Sequence, residues 1–206
     1  MVSDTGISGV INAIATSIAQ TDFLTWSGTI LALVYVVLAL RLNRWCWVAG
    51  IASSIIFVAV YFNSALYYES ALNILYAMLG VYGWISWKDQ SSASSESVRK
   101  SSSAFLIYGS AIALASGLVL GTITYTLLNA DLAYADALLT TFSVFATVLS
   151  ARKLIENWIY WIVIDAASSV VYIIKGPSMY LVAVLFILYT CMAIGGYYSW
   201  KKKLEL

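Results

Sequence analysis

Long apolar runs separated by short polar breaks make up almost the whole chain. A first stretch at 7–19 (ISGVINAIATSIA) is apolar but interrupted by Ser, Asn and Thr. Seven longer runs follow, at about 24–40, 45–62, 66–87, 104–128, 132–150, 155–174 and 179–200. Each is roughly 18 to 24 residues, enough at about 1.5 Å per residue to cross a hydrocarbon core about 30 Å thick. No two-residue alternation suggests a barrel, and lipid offers backbone N–H and C=O groups no other partner, so the seven runs are predicted to be transmembrane helices. The first stretch lacks the length of a span and the basic flank of a signal segment, and is predicted to lie as a helix at the interface.

The polar breaks orient the spans. Arg41 and Arg44 follow the first, Lys88, Arg99 and Lys100 the third, Arg152 and Lys153 the fifth, and Lys201, Lys202 and Lys203 the seventh. Ten of the eleven cations thus share one side, against Lys175 alone on the other. The excess of basic residues on cytoplasmic loops then predicts an N-terminus outside and a C-terminus in the cytoplasm.

Composition supports an integral membrane protein and narrows its chemistry. The chain is 62% hydrophobic and 10% charged, far from the balance of a soluble domain. A net charge of +1 without a basic patch excludes nucleic acid as a partner. There is no histidine, hence neither the commonest general base nor the commonest metal ligand. Cys46 and Cys191 match no metal-ligand spacing and read as packing residues. No phosphate-binding glycine loop is present, so the expectation is no enzyme, no catalytic residue, no metal and no cofactor.

The chain also echoes itself. Ser53-Ser54 recurs as Ser168-Ser169, Leu75-Tyr76 as Leu188-Tyr189, and GWISWK from Gly83 as GYYSWK from Gly196. Asn43 and Trp47 are echoed, four residues apart again, by Asn157 and Trp161, a register that sets the counterpart of Asp165 close to Gly50. Two copies of a three-helix unit joined by one linking helix keep the same orientation, which predicts a 3+1+3 parallel pseudo-repeat about an axis along the membrane normal. The domain reading is an interfacial segment at 1–22, a first unit at 23–88, a Ser-rich cytoplasmic linker at 89–103 that is flexible and solvated, a linking helix at 104–128, a second unit at 129–200 and a basic tail at 201–206.

Chemistry concentrates at 156–172, ENWIYWIVIDAASSVVY. A charged Asp near the centre of a membrane helix costs roughly 2.5 to 3.5 kcal/mol on insertion scales, so Asp165 is a candidate functional residue. Helical spacing puts Asn157, Trp161, Asp165, Ser168 and Tyr172 on one face. Trp161, one turn from Asp165, can stack on a flat ring or a delocalised cation, with Trp158 beside it. Asn157 and Asn43 mark the inner end of this path, and Asn73 and Tyr76 lie on the third span. Tyr82, Thr140, Thr141, Ser143 and Tyr189 are secondary candidates for its lining. Trp45, Trp47, Trp84, Trp87, Trp158 and Trp200 lie near cations and read as a headgroup-level aromatic belt. Gly80, Gly83, Gly195 and Gly196 read as helix-packing sites.

RLNRWCWVAGIASS in the second span, YGWISWK closing the third and ENWIYWIVIDAASSVVYIIKG in the sixth resemble the PnuC family of bacterial vitamin transporters, over nearly the whole chain. The resemblance implies an all-α, 3+1+3 fold related to the SWEET sugar transporters, in the bacterial inner membrane. It implies facilitated diffusion of an unphosphorylated vitamin, which a cytoplasmic kinase then traps by phosphorylation. It also implies Asn157, Trp158, Trp161 and Asp165 as substrate contacts. Nicotinamide riboside is the leading substrate and thiamine the alternative, since each carries a cation on an aromatic ring. Neutral riboflavin suits Asp165 less. A retinal-type receptor would need a lysine inside the seventh span, and 179–200 has none. A non-transporting scaffold or receptor subunit is the remaining class, and the oligomeric state, a homo-oligomer included, stays open.

Overall fold

The computed structural model describes residues 6–88, 98–128 and 131–205, which form eight α-helices. A short helix α1 (Ile7–Gln20) precedes α2 (Phe23–Leu40), α3 (Cys46–Asn63), α4 (Tyr67–Lys88), α5 (Ser103–Leu128), α6 (Ala133–Ala151), α7 (Glu156–Ile174) and α8 (Tyr180–Leu204). Six of these, α2, α3 and α5 to α8, are long and apolar enough to cross a membrane. Helix α4 has 22 residues, but Glu69, Asn73 and Lys88 lower its apolar character. Asp22 starts α2 by accepting a hydrogen bond from the Thr25 backbone N–H at 2.9 Å, which holds its carboxyl below the usual carboxylate range.

Helix contacts close a ring. Helix α2 packs on α3, α3 on α4, α4 on α6, α6 on α7, α7 on α8, and α8 returns to α2. Helix α5 packs mainly on α6, outside that ring, with Ser110 hydrogen-bonded to Tyr160 of α7, and α1 rests on α8 and on the 3-10 turn Pro177–Met179. The expected boundaries of the seven long helices are met within one or two residues, except that α8 runs on to Leu204.

Two links of the ring repeat one hydrogen-bond pattern. After α2, Leu42 enters the left-handed region at φ 56°, its N–H bonds Ala39 O and the Asn43 N–H bonds Leu38 O. After α6, Lys153 does so at φ 55°, its N–H bonds Ser150 O and the Leu154 N–H bonds Leu149 O. Both are Schellman ends built without glycine. This geometry pairs Leu42 with Lys153, an offset of 111 residues, and the same offset pairs Ala65 (φ 58°) with Gly176 (φ 101°) after α3 and α7. In α4 and α8 the offset is 113, since Gly83 faces the Trp47 ring as Gly196 faces the Trp158 ring.

That backbone register differs from the one read from the residues. Trp158, not Trp161, is the counterpart of Trp47. Asn157 pairs with Cys46, Trp161 with Gly50, and Asp165 with Ser54. Identical side chains misled here because Asn43 caps a turn, accepting from the Trp45 N–H at 2.9 Å, while Asn157 sits inside a helix.

A second correction concerns the linker. Residues 89–97 lie outside the described residues, but the backbone of 98–101 is docked, with the Arg99 and Lys100 side chains exposed. Arg99 N–H donates to Lys153 O and Arg99 O accepts from the Ile155 N–H, both at 3.0 Å, and the Glu156 carboxylate accepts from the Ser101 N–H. Val98 is buried among Trp47, Trp87, Trp158 and Trp200.

Candidate functional site

The ring of six helices encloses a cavity of about 340 Å³. Its wall takes residues from equivalent positions of the two helix triplets: Ala32, Val36 and Ala39 from α2 against Ser143, Thr147 and Ser150 from α6. From α3 come Gly50 and Ser54, and from α7 their counterparts Trp161 and Asp165. Helix α4 adds Asn73 and Tyr76, and α8 adds Phe186 and Tyr189. Among the described residues no Lys or Arg lines it.

Asp165 is 5% exposed and makes no hydrogen bond or ion pair with any described residue. A buried carboxylate without a partner is costly, and Tyr189, within electrostatic reach, supplies no positive charge. Around the entrance to α7 Asn157, Ser150 and Trp161 are hydrogen-bonded instead, while Trp158 Nε1 is buried without a partner among the described residues. Asn157 Nδ2 donates to Leu154 O at 2.6 Å. The Ser150 hydroxyl lies 3.1 Å from Asn157 Oδ1 and 3.0 Å from Ala146 O, and accepts from Trp161 Nε1 at 3.3 Å. The Tyr35 hydroxyl adjoins Ser150, and Tyr76 adjoins Ser143.

Four tryptophans close the cation-rich end. Trp47, Trp87, Trp158 and Trp200 are each at most 4% exposed. Their rings meet in series, Trp47 to Trp87 at 5.6 Å, Trp87 to Trp200 at 6.2 Å and Trp200 to Trp158 at 5.4 Å. Trp87 Nε1 donates to Ala151 O at 3.1 Å and to Ser150 O at 3.3 Å, while Trp200 Nε1 donates to Ala39 O at 3.0 Å. Each indole thus adds a donor to carbonyls at a helix end of the other triplet, where Ala39 O and Ser150 O already accept the N–H of Leu42 and of Lys153. The belt reading therefore fails for these four. It fits exposed Trp45, and Trp84, whose ring lies 3.4 Å under the Arg44 guanidinium. Tyr61 and Tyr172, paired by the 111 offset, lie within electrostatic reach of each other near the opposite end.

Of the residues expected at the site, Asp165, Trp161, Asn157, Trp158, Asn73 and Tyr76 all line this cavity. Asn43 does not. It is exposed, and its side chain serves the turn before α3. Asn73 Nδ2 donates to Glu69 O at 2.9 Å, leaving its carbonyl oxygen for the cavity. Ser143 and Tyr189 line it too, whereas Tyr82, Thr140 and Thr141 lie elsewhere. Ser150 was missed: a serine on an apolar helix carries no spacing signal, and only the fold shows three side chains meeting at its hydroxyl.

Residues 22–202 match the family described as nicotinamide mononucleotide transporter. The chain belongs to this family. It is 24% identical over 178 residues to the nicotinamide riboside transporter PnuC of Escherichia coli (strain K12), an alignment spanning 73% of each chain. The same figures hold for PnuC of Shigella flexneri. The crystal structure of the vitamin B3 transporter PnuC aligns with a TM-score of 0.71 at 18% identity, covering 95% of this chain and 90% of that one, a likeness of fold. The chain is therefore a multi-pass inner-membrane protein of the PnuC family, whose members are transporters and not enzymes.

Proposed function

We propose that this PnuC-family protein carries an unphosphorylated cationic aromatic vitamin across the inner membrane by facilitated diffusion, nicotinamide riboside ahead of thiamine. The observation that carries the reading is Asp165, a buried carboxylate with no cation in the lining around it. A pyridinium or thiazolium ring brings the missing charge, and Trp161 one turn away offers a face for it. A cavity near 340 Å³ is at the small end of ligand pockets, about 300 to 1,000 Å³, a size suited to a nucleoside. The phosphorylated mononucleotide fits less well, because its phosphate would find no Lys or Arg in the lining and would share the cavity with Asp165.

Uniport and trapping by a cytoplasmic kinase belong to the same proposal. A proton-coupled carrier generally sets several acids or histidines along its path, and among the described residues Asp165 is the one acid in this lining. We further read α4 as a seventh span, since it completes the ring, and the two triplets as a parallel 3+1+3 repeat with α5 as the linking helix. The cation-rich end is then cytoplasmic.

Calorimetric titration with nicotinamide riboside, thiamine, riboflavin and nicotinamide mononucleotide tests the reading. The two cations are expected to bind, with riboflavin and the mononucleotide at least about tenfold weaker. Binding of the mononucleotide equal to that of the riboside would refute the role of the cation-free lining. In liposomes loaded with the matching kinase, uptake is expected without an ion gradient. Uptake that collapses when a sodium or proton gradient is removed would refute uniport.

A further inference from the structure

Three side chains on α6 and α7 form a connected set that the first triplet cannot form. Trp161 Nε1 donates to the Ser150 hydroxyl, and that hydroxyl bonds Asn157 Oδ1. At the equivalent positions stand Gly50, Ala39 and Cys46, which have no comparable donors or acceptors. Yet the main-chain half of the arrangement exists in both triplets. Ser150 O takes the Trp87 indole N–H as Ala39 O takes that of Trp200. Ser150 therefore touches two systems at once, the cavity through its side chain and the tryptophan closure through its carbonyl.

We infer that Ser150 is a positioning residue that sets Trp161 and Asn157 for the substrate and ties that setting to the closure made by Trp87. The inference rests on the substrate reading above. The hydroxyl is buried, its single proton is shared between Asn157 Oδ1 and Ala146 O, and the Tyr35 hydroxyl adjoins it, so a turn of Trp161 redistributes bonds among these groups. A ring stacking on Trp161 and drawing its indole N–H away leaves the hydroxyl to re-form its bonds within the last turn of α6. That turn carries the two carbonyls holding Trp87. Coupling of this kind needs a packed element with two discrete arrangements. The end of α6, fastened by Trp87 on one side and by Trp161 on the other, is such an element. The first triplet keeps the closure but lacks the sensor, so occupancy is read from one side of the pseudo-symmetric ring.

Cys46 is a native reporter. It is fully buried in the same tryptophan cluster, beside Trp47, so a polar methanethiosulfonate reagent reaches it when that end opens. The other thiol, Cys191, is exposed and is removed in a Cys191→Ala parent. In nanodiscs, saturating nicotinamide riboside is expected to change the labelling rate of Cys46 in this parent by about fivefold or more. Ser150→Ala, which keeps the carbonyl but loses the hydroxyl, is expected to weaken nicotinamide riboside about tenfold and to erase the response of Cys46 even at saturation. Trp87→Phe, which keeps the ring but loses the N–H, is expected to erase the same response at saturating nicotinamide riboside.

A full response of Cys46 in either variant at saturating nicotinamide riboside overturns the inference. So does a parent that binds the riboside without any change at Cys46. A parent that binds neither nicotinamide riboside nor thiamine removes the substrate reading itself, and the coupling with it. Binding by the parent with an unaltered Ser150→Ala leaves the substrate reading standing and removes the coupling alone.

Discussion

Along α6, Ser143, Thr147 and Ser150 face the cavity, and at the equivalent places along α2 stand Ala32, Val36 and Ala39. On the middle helices, Asp165 and Trp161 answer to Ser54 and Gly50. Only on the outer pair does the polarity reverse, with Asn73 on α4 against Phe186 on α8. The two triplets share a skeleton, down to the left-handed residue after their first helices, and differ in what they present to a guest. Shared backbone geometry builds the ring and its closure. Unshared side chains make one wall able to recognise a cation, while the other mainly completes the shape.

The comparison is broken most sharply at Asp165. Asp165→Asn is expected to weaken nicotinamide riboside about 100-fold, from the loss of a buried charge partner worth about 2 to 5 kcal/mol, while Ser54→Ala changes affinity less than about threefold. Equal effects in calorimetry would mean that the walls are not specialised. Next comes Trp161→Ala, expected to cost about 1 to 2 kcal/mol of binding through lost stacking and cation–π attraction, or roughly tenfold in Kd. Its counterpart change Gly50→Ala brings a Cβ only to 3.0 Å from the Tyr35 ring, a contact that a small ring shift relieves.

A third pair tests what the triplets share. An added Cβ at Gly83 would lie 2.3 Å from the Trp47 ring, and at Gly196 2.5 Å from the Trp158 ring. Gly83→Ala and Gly196→Ala are each expected to destabilise by about 1 to 3 kcal/mol, read as matching drops in melting temperature. A large drop in one alone would break the equivalence of the closure. The smallest effect is expected at the far end, where Lys175 pairs with Asp136 at 2.8 Å in the second triplet only. Both side chains are partly exposed, so Lys175→Met should cost less than about 1 kcal/mol, and less still at high salt.

Much of this was legible in the chain. Helix positions follow from runs of apolar residues whose length matches a bilayer, and Asp165 stands out because a lone carboxylate is expensive there. The register of the repeat was not legible, because it is carried by backbone turns that Leu42, Ala65 and Lys153 make without glycine. Side-chain identity pointed elsewhere, pairing an asparagine that caps a turn with one that braces a cavity. The tryptophans were misread for a related reason. Proximity to cations in sequence is compatible with a headgroup belt, but Gly83 and Gly196 let two of the rings sink inward against a helix backbone. Docking of 98–101 was equally hidden, since a Ser-rich context gives no warning that Val98 is buried.

The indole bonds at the cation-rich end run in opposite directions, Trp87 giving to the end of α6 and Trp200 to the end of α2. Neither triplet owns its own fastening. If one tilts away from the other, both indole donors lose their partners together, each at about 1 to 3 kcal/mol if no water replaces it. Opening at that end is thus a single step shared by two bodies, with no half-open state in which one side has let go and the other still holds.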